Sequence, residues 1–90
     1  MQYVEAGTPI NLTDDGLVSN TPGNLIGFYV NSTNAGTIVI YDGLTSAGTA
    51  ISGTITPAIG WREFPAYCRT GCFVVIGGTA LDITAVFAAG

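Results

Sequence analysis

Apolar and polar residues alternate in short runs along most of the chain. The runs are rich in Val, Ile, Thr, Tyr and Phe, and turn residues separate them at intervals of roughly 6–12 residues. This spacing predicts many short β-strands. No stretch has apolar residues at helical spacing without an intervening Gly or Pro, so we expect no helix longer than one turn. The predicted strands are residues 9–12, 17–19, 24–31, 37–41, 49–56, 61–64, 66–68, 72–76 and 81–88.

The clearest alternation lies near the C-terminal end of the chain. Leu81, Ile83, Ala85 and Phe87 alternate with Asp, Thr, Val and Ala, and are predicted to face the core.

Strict alternation in the predicted strand 24–31 places Ile26, Phe28 and Val30 on one face, opposite Leu25 and Tyr29. The second face is therefore also apolar in part. The same holds for the pairs Val39 with Tyr41 and Val74 with Ile76. Either loops cover these second faces, or another subunit does.

Two turn signals predict local hairpins. Asn34-Ala35-Gly36 would join the strands on either side of it, and Arg69-Thr70-Gly71 has the form of a three-residue hairpin loop. The predicted fold is all-β, a small antiparallel β-sandwich or jelly-roll-like barrel of about eight short strands. Residues 1–15 are expected to form an N-terminal arm or first strand, and residues 16–90 a single β-sandwich domain.

The composition excludes several kinds of chemistry. The chain has 90 residues, enough for one small domain, with no His, no Lys and two Arg. It cannot itself supply a Ser-His-Asp triad, a His metal ligand or a Schiff-base amine. We therefore expect no enzymatic activity, no metal and no cofactor. The net charge of −4 argues against binding to nucleic acid or to an anionic membrane.

Charged residues make up 9% of the chain, against about 25% in an ordinary soluble domain. Low charge and small size both favour stabilisation by partner chains. No apolar run is long enough to span a membrane, and the N-terminus lacks the basic and apolar parts of a signal peptide. The sequence is thus expected to be a complete protein made inside the cell. Asn11 and Asn31 begin N-glycosylation sequons, but no secretion signal supports their use.

Cys68 and Cys72 would face each other across a hairpin, within disulfide range, if the loop between them is a three-residue turn. Three states remain open: two reduced, inert thiols, a disulfide formed in an oxidising medium, or a two-ligand metal site, which the lack of His disfavours. The carboxylates are scattered and none has calcium-loop spacing. Asp14-Asp15-Gly16 and Asp42-Gly43 are best explained as turns.

Recognition-type residues are concentrated in one segment that contains Trp61, Glu63 and Tyr67. Trp, Tyr and Arg are enriched in interface hot spots. Three interpretations stay open: Trp61 is a core residue and the arginines pair with nearby acids, the segment is a contact surface, or it is a carbohydrate-stacking platform. The candidate interface residues are Tyr3, Val4, Trp61, Arg62, Tyr67 and Arg69.

Several segments resemble small bacteriophage virion proteins. They are NLIGFYVNS (24–32), GTIVIYDG (36–43), TITPAIGW (54–61) with FPA (64–66), and GGTALDIT (77–84). These strand-and-turn patterns are similar to those of capsid decoration, or cement, proteins and cover roughly residues 24–87. The resemblance implies a small β-rich structural protein, commonly trimeric, seated on the outside of an icosahedral capsid. It carries over no functional residue.

The partners that the resemblance implies are the major capsid protein of the same virus and further copies of this chain, in a homotrimer. The protein would be made in the host cytoplasm and carried on the capsid exterior. An extended N-terminal segment could attach to the shell by strand addition. The alternative is a tail- or fibre-associated module that binds a host-surface glycan, which requires Trp61 or Tyr67 to be accessible to solvent.

Overall fold

The structure is a computed structural model that describes residues 7–33, 36–77 and 81–89. Within these ranges no helix is long and apolar enough to span a membrane. The described residues form eight strands: β1 (Thr8–Leu12), β2 (Gly16–Ser19), β3 (Gly23–Thr33), β4 (Thr37–Asp42), β5 (Thr49–Ala50), β6 (Gly60–Cys68), β7 (Cys72–Gly77) and β8 (Leu81–Ala89).

The strands form two antiparallel sheets of four strands each. The order is β1-β8-β3-β6 in one sheet, here the front sheet, and β2-β7-β4-β5 in the other, here the back sheet. The first strand pairs with the last, the second with the seventh, the third with the sixth, and the fourth with the fifth. This is the strand order of a jelly roll. The predicted all-β sandwich is therefore confirmed.

The core lies between the two sheets and takes apolar side chains from both. All four residues predicted to face inwards on β8 are buried. No polar or charged side chain is buried among the described residues. The main core residues are Leu25, Phe28, Val30, Ile83 and Phe87 from the front sheet and Val18, Ile38, Ile40 and Val74 from the back sheet.

Neither predicted hairpin forms. β3 lies in the front sheet and β4 in the back sheet, so the chain changes sheets between them; Asn34 and Ala35 lie outside the described residues. β6 and β7 are likewise in different sheets, and Arg69-Thr70-Gly71 is a crossing between sheets. Among the described strands, only β4 and β5 are consecutive and paired. A turn signal marks where the chain reverses, but not which sheet receives the next strand.

A bulge in β3 reverses part of the predicted alternation. The register against β8 shifts between Leu25 and Gly27, which makes Ile26 an extra residue. Leu25 is consequently buried, with 1% of its surface exposed. Ile26 lies on the outer face, where its Cδ1 approaches Gly7 beside Val86 Cγ1. The prediction that Ile26 faces inwards and Leu25 outwards is therefore wrong.

The segments 61–64 and 66–68, predicted as separate strands, form the single strand β6. Pro65 cannot donate a backbone hydrogen bond, so a proline in a sheet is confined to edges and bulges. It meets both conditions here, because β6 is an edge strand and its register against β3 shifts between Ala66 and Glu63.

The predicted strand 49–56 is regular only at β5. Beyond it the chain follows β4 irregularly. Ser52 Oγ accepts a hydrogen bond from the Ile40 N–H (2.9 Å), and Ile55 forms an isolated bridge with Ile38. A side chain and a bridge thus complete the edge of the back sheet where backbone pairing stops.

Candidate functional site

A row of outward-facing side chains crosses the front sheet. Asn11 on β1 pairs with Thr84 on β8, Thr84 pairs with Tyr29 on β3, and Tyr29 pairs with Trp61 on β6. Directly opposed residues share a face of the sheet. Tyr29 and Trp61 expose 46% and 44% of their surfaces. We call these two neighbouring aromatic residues the aromatic platform.

A glycine on the adjacent strand determines how Trp61 is seated. A Cβ atom at Gly27 would lie 2.8 Å from Cζ2 and 2.9 Å from Cη2 of Trp61, so the six-membered ring covers Gly27. The same Cβ would lie 2.5 Å from the Arg62 carbonyl oxygen. Only glycine fits this position without a shift of the neighbouring strand. Part of the Trp61 ring is therefore held against the sheet while the rest is accessible to solvent.

A hydrogen-bonded network lies beside the platform. Asp82 Oδ1 accepts hydrogen bonds from Asn11 Nδ2 (2.6 Å) and Asn31 Nδ2 (3.1 Å). Asn11 Nδ2 also donates to the Ile83 carbonyl oxygen (2.9 Å), and Asn31 Nδ2 to Thr84 Oγ1 (3.0 Å). We call Asn11, Asn31, Asp82 and Thr84 the polar network.

The polar network uses its amide donors internally and leaves acceptors over. Each Asn side-chain nitrogen has two hydrogens, and both are engaged. Within the described ranges, no donor is hydrogen-bonded to the two amide oxygens or to Asp82 Oδ2. The network therefore offers several acceptor oxygens to a ligand.

Asn31 joins the network because of a second irregularity in β3. Val30 pairs with Ile83 and Ser32 with Asp82, so Asn31 is an extra residue between them. Bulges redirect side chains in this way. The sequence pattern alone does not predict this network. Alternation in β8 does place Asp82 and Thr84 on one outward face, but the asparagines that join them come from strands whose pairing the sequence does not reveal.

Only some of the predicted interface residues lie together. Trp61 and Tyr67 are on the outer face of the front sheet, and Tyr67 exposes 59% of its surface. The interpretation of Trp61 as a core residue is thus wrong, and the accessibility that the glycan alternative requires is present. Arg62 is exposed at the edge strand, and Arg69 lies in the crossing after β6. Tyr3 and Val4 lie outside the described residues.

Asp42 fixes the crossing that carries Arg69. Its Oδ1 accepts the backbone N–H of Thr70 and its Oδ2 that of Arg69, each at 3.0 Å. These hydrogen bonds hold the pKa of Asp42 below its ordinary value, and the bond from Thr70 contributes most. The carboxylate therefore stabilises a connection between the two sheets.

Cys68 and Cys72 are free and buried, one in each sheet. Burial raises the pKa of both thiols. The neighbouring Cys68 raises that of Cys72 further, and a hydrogen bond with Cys72 partly offsets the rise for Cys68. Thiols with raised pKa values are poor nucleophiles at neutral pH. The prediction that the two cysteines face each other across a hairpin is wrong, because β6 and β7 lie in different sheets. They are nevertheless close neighbours in the core, and a disulfide between them would link the two sheets.

The outer face of the back sheet is apolar across all four strands. Leu17 on β2 pairs with Phe73 on β7, Phe73 with Tyr41 on β4, and Tyr41 with Ala50 on β5. Val39 and Val75 are partners one step along the same face. None of these side chains is charged. We call the set the back-sheet face: Leu17, Val39, Tyr41, Ala50, Phe73 and Val75.

The predicted apolar second faces are confirmed in part. Val39 and Tyr41 point outwards as expected, opposite the buried Ile38 and Ile40 on β4. The pair Val74 and Ile76 does not, because Val74 is buried and Ile76 packs against the core. Phe73 and Val75 take the outward positions on β7 instead.

A surface depression of about 310 Å³ opens between the edges of the two sheets. None of its lining residues is ionisable, so the depression contains no side chain that could act as an ionisable acid or base. Across residues 7–33, 36–77 and 81–89, no group of three or more His, Cys, Asp or Glu is arranged to hold a metal ion. The depression is lined by Thr8, Leu17, Val18, Ser19, Asn20 and Phe87.

Comparison with known proteins finds no matching family, curated protein or solved structure. The fold does not decide the function, since the same architecture supports unrelated activities. Function must therefore be inferred from the aromatic platform, the polar network and the back-sheet face.

Proposed function

We propose that this protein is a non-enzymatic structural protein that decorates and stabilises a bacteriophage capsid. It binds the outer surface of the major capsid protein shell as a homo-oligomer, and we propose a trimer. The observation that carries this proposal is the back-sheet face, an uncharged apolar surface across all four strands of the sheet. The resemblance of the sequence to phage virion proteins supports the same function.

The back-sheet face is suited to contact between copies of this chain. Leu17 and Ala50 of this face are exposed, and its other four side chains are half-buried. Contiguous accessible apolar surface on a soluble protein typically marks a protein–protein contact. Burial of Phe73, Tyr41 and their neighbours removes apolar area from water without desolvating a charge. The low charge of the whole chain, 9% of residues, is in keeping with a protein that is covered in its assembled state.

Attachment to the shell would use a different part of the molecule. β1 is an edge strand of the front sheet. Among the described residues β1 has a strand partner on one side only, and its other side can accept an extended segment of a shell protein by main-chain hydrogen bonding. Repetition over a capsid then adds many weak contacts, so that moderate affinity per copy is sufficient.

Two matched valine substitutions test the contact between copies. Val75→Asp places a charge on the back-sheet face, and Val86→Asp places one at an outward position on β8 of the front sheet. Both valines lie half-buried on central strands. By light scattering coupled to size-exclusion chromatography, we expect Val75→Asp to reduce the wild-type oligomer to a folded monomer and Val86→Asp to leave it intact. A monomeric wild type, or equal effects of the two variants, would contradict this use of the back-sheet face.

Shell binding is tested with capsids assembled from the major capsid protein of the source virus without this chain. Purified protein should bind at a saturating number fixed by the capsid symmetry and should raise the temperature at which the shells break. Failure to bind intact shells would refute the proposed function.

A further inference from the structure

The aromatic platform and the polar network lie side by side on the outer face of the front sheet. Tyr29 of the platform is the direct cross-strand partner of Thr84 in the network. From this juxtaposition we propose that the front-sheet face binds a neutral saccharide. This proposal does not rest on capsid decoration, and either can fail without the other.

The platform supplies the apolar half of such a site. A pyranose ring has a face of C–H groups that can lie on an exposed aromatic ring, while its hydroxyl groups point outwards from its edge. Trp61 has the required exposure and is held against Gly27. A side chain that is already fixed loses little conformational freedom when the ligand binds.

The polar network supplies the hydrogen-bonding half. Its available groups are acceptor oxygens of Asn11, Asn31 and Asp82, and sugar hydroxyls are donors. The internal bonds of the network hold these acceptors in place, since Asp82 Oδ1 bridges the two asparagines. A few convergent polar groups beside an apolar surface are the usual composition of a small-ligand site.

Charge selects a neutral sugar over an acidic one. Asp82 lies in the network, and Glu63 pairs with Gly27 on the same outward face as Trp61. The whole chain carries a net charge of −4. A carboxylated sugar would meet like charges here, whereas hydroxyl groups would meet acceptors.

A second copy of the chain fits this face less well than a sugar. Docking another protein surface would bury the Asp82 and Glu63 carboxylates and cost their desolvation. The uncharged back-sheet face has no such cost. The two sheets therefore differ in the kind of partner that each can bind.

Trp61 is the only tryptophan in the sequence and reports directly on the site. Its emission is measured during titration of the whole chain with maltotriose, lactose and triacetylchitotriose up to about 10 mM, a range that covers dissociation constants near ~1 mM. We expect at least one neutral sugar to shift the emission to the blue in a saturable manner. Sialyllactose, an acidic derivative of lactose, should bind more weakly than lactose.

Matched asparagine variants assign the binding to the polar network. Asn31→Ala should weaken the affinity for that sugar about tenfold, in line with the loss of a single well-placed hydrogen bond. Asn20→Ala removes an exposed asparagine between β2 and β3 and should change nothing. Trp61→Ala, followed by NMR, should abolish binding while the backbone spectrum remains folded.

The proposal is overturned if no neutral sugar of the panel changes either the emission or the NMR spectrum. It is also overturned if binding survives both Trp61→Ala and Asn31→Ala. Emission that shifts with protein concentration in the absence of sugar would show instead that a second copy covers this face.

Discussion

The bulge at Ile26 leads to an unusual prediction for two adjacent side chains. Leu25 is buried between the sheets, with 1% of its surface exposed, whereas Ile26 lies on the outer face near Gly7 and Val86. Strict alternation from Phe28 and Val30 would assign the opposite roles. The loss of stability when each residue is truncated to alanine therefore distinguishes the bulged register from a regular one.

The expected magnitudes follow from burial. Leu25→Ala removes a fully enclosed side chain and leaves a cavity, which costs about 3 kcal/mol. Ile26→Ala removes a half-buried side chain on the outer face, and we expect about 1 kcal/mol. For a domain of this size each kcal/mol lowers the melting temperature by roughly 4–8 °C. Leu25→Ala should thus melt roughly 12–24 °C below the wild type, and Ile26→Ala only about 4–8 °C below it.

Thermal unfolding followed by far-UV circular dichroism measures both values. All samples must have the same chain concentration, because association shifts the melting temperature by mass action. Equal losses, or a larger loss for Ile26→Ala, would refute the bulged register and with it the outward direction assigned to Ile26.

Three further results are expected. Burial raises the pKa of the Cys72 thiol, so the native state keeps this proton at a pH where the unfolded state has lost it. Above the ordinary thiol pKa of about 8.5, the free energy of unfolding should therefore fall by up to about 1.4 kcal/mol per pH unit. Urea titrations from neutral to alkaline pH should show a shallower decline for Cys72→Ala than for the wild type. Gly27→Ala should destabilise the protein by about 1–3 kcal/mol, because the added Cβ displaces the Trp61 ring. The displaced ring should be more exposed to water, so the fluorescence emission of Trp61 should shift to the red. An unchanged emission spectrum would contradict the contact between Trp61 and Gly27. Asp42→Ala should lower the melting temperature at neutral pH. The difference from wild type should shrink as the pH falls below the ordinary Asp pKa of about 3.9, because the lowered pKa of Asp42 stabilises the native state only while the carboxylate is charged. A difference in melting temperature that is independent of pH would argue against the role of the charge.

Local composition predicts where most strands lie, because runs of β-branched and aromatic residues suit a pleated, half-buried surface. The segment 72–76 and the observed β7 (Cys72–Gly77) differ by one residue. Pairing is different, because it joins residues distant in the sequence, such as Pro9 with Val86. No local pattern specifies that the first strand pairs with the last.

Bulges are the second feature that the sequence does not reveal. The residues around Ile26 alternate as a regular strand would, and the extra residue is visible only against β8. The continuity of β6 through Pro65 is equally unpredictable, since proline is tolerated there only because β6 is at an edge.

The candidate site was predictable to a limited extent. Composition identified Trp61 and Tyr67 as recognition residues, and both are exposed. Their neighbours were not predictable, because Asn11, Asn31 and Asp82 come from three strands that meet only through the jelly-roll topology. The arrangement of the front-sheet face is thus a property of the fold.

The capsid proposal is tested most directly by the copy number of this chain in purified particles of the source virus. Quantitative mass spectrometry gives its ratio to the major capsid protein. A decoration protein should be present at a ratio of the same order as the shell protein, since it occupies repeated positions over the capsid. A few copies per particle would favour a tail or fibre module, and complete absence from the particle would contradict the proposed function.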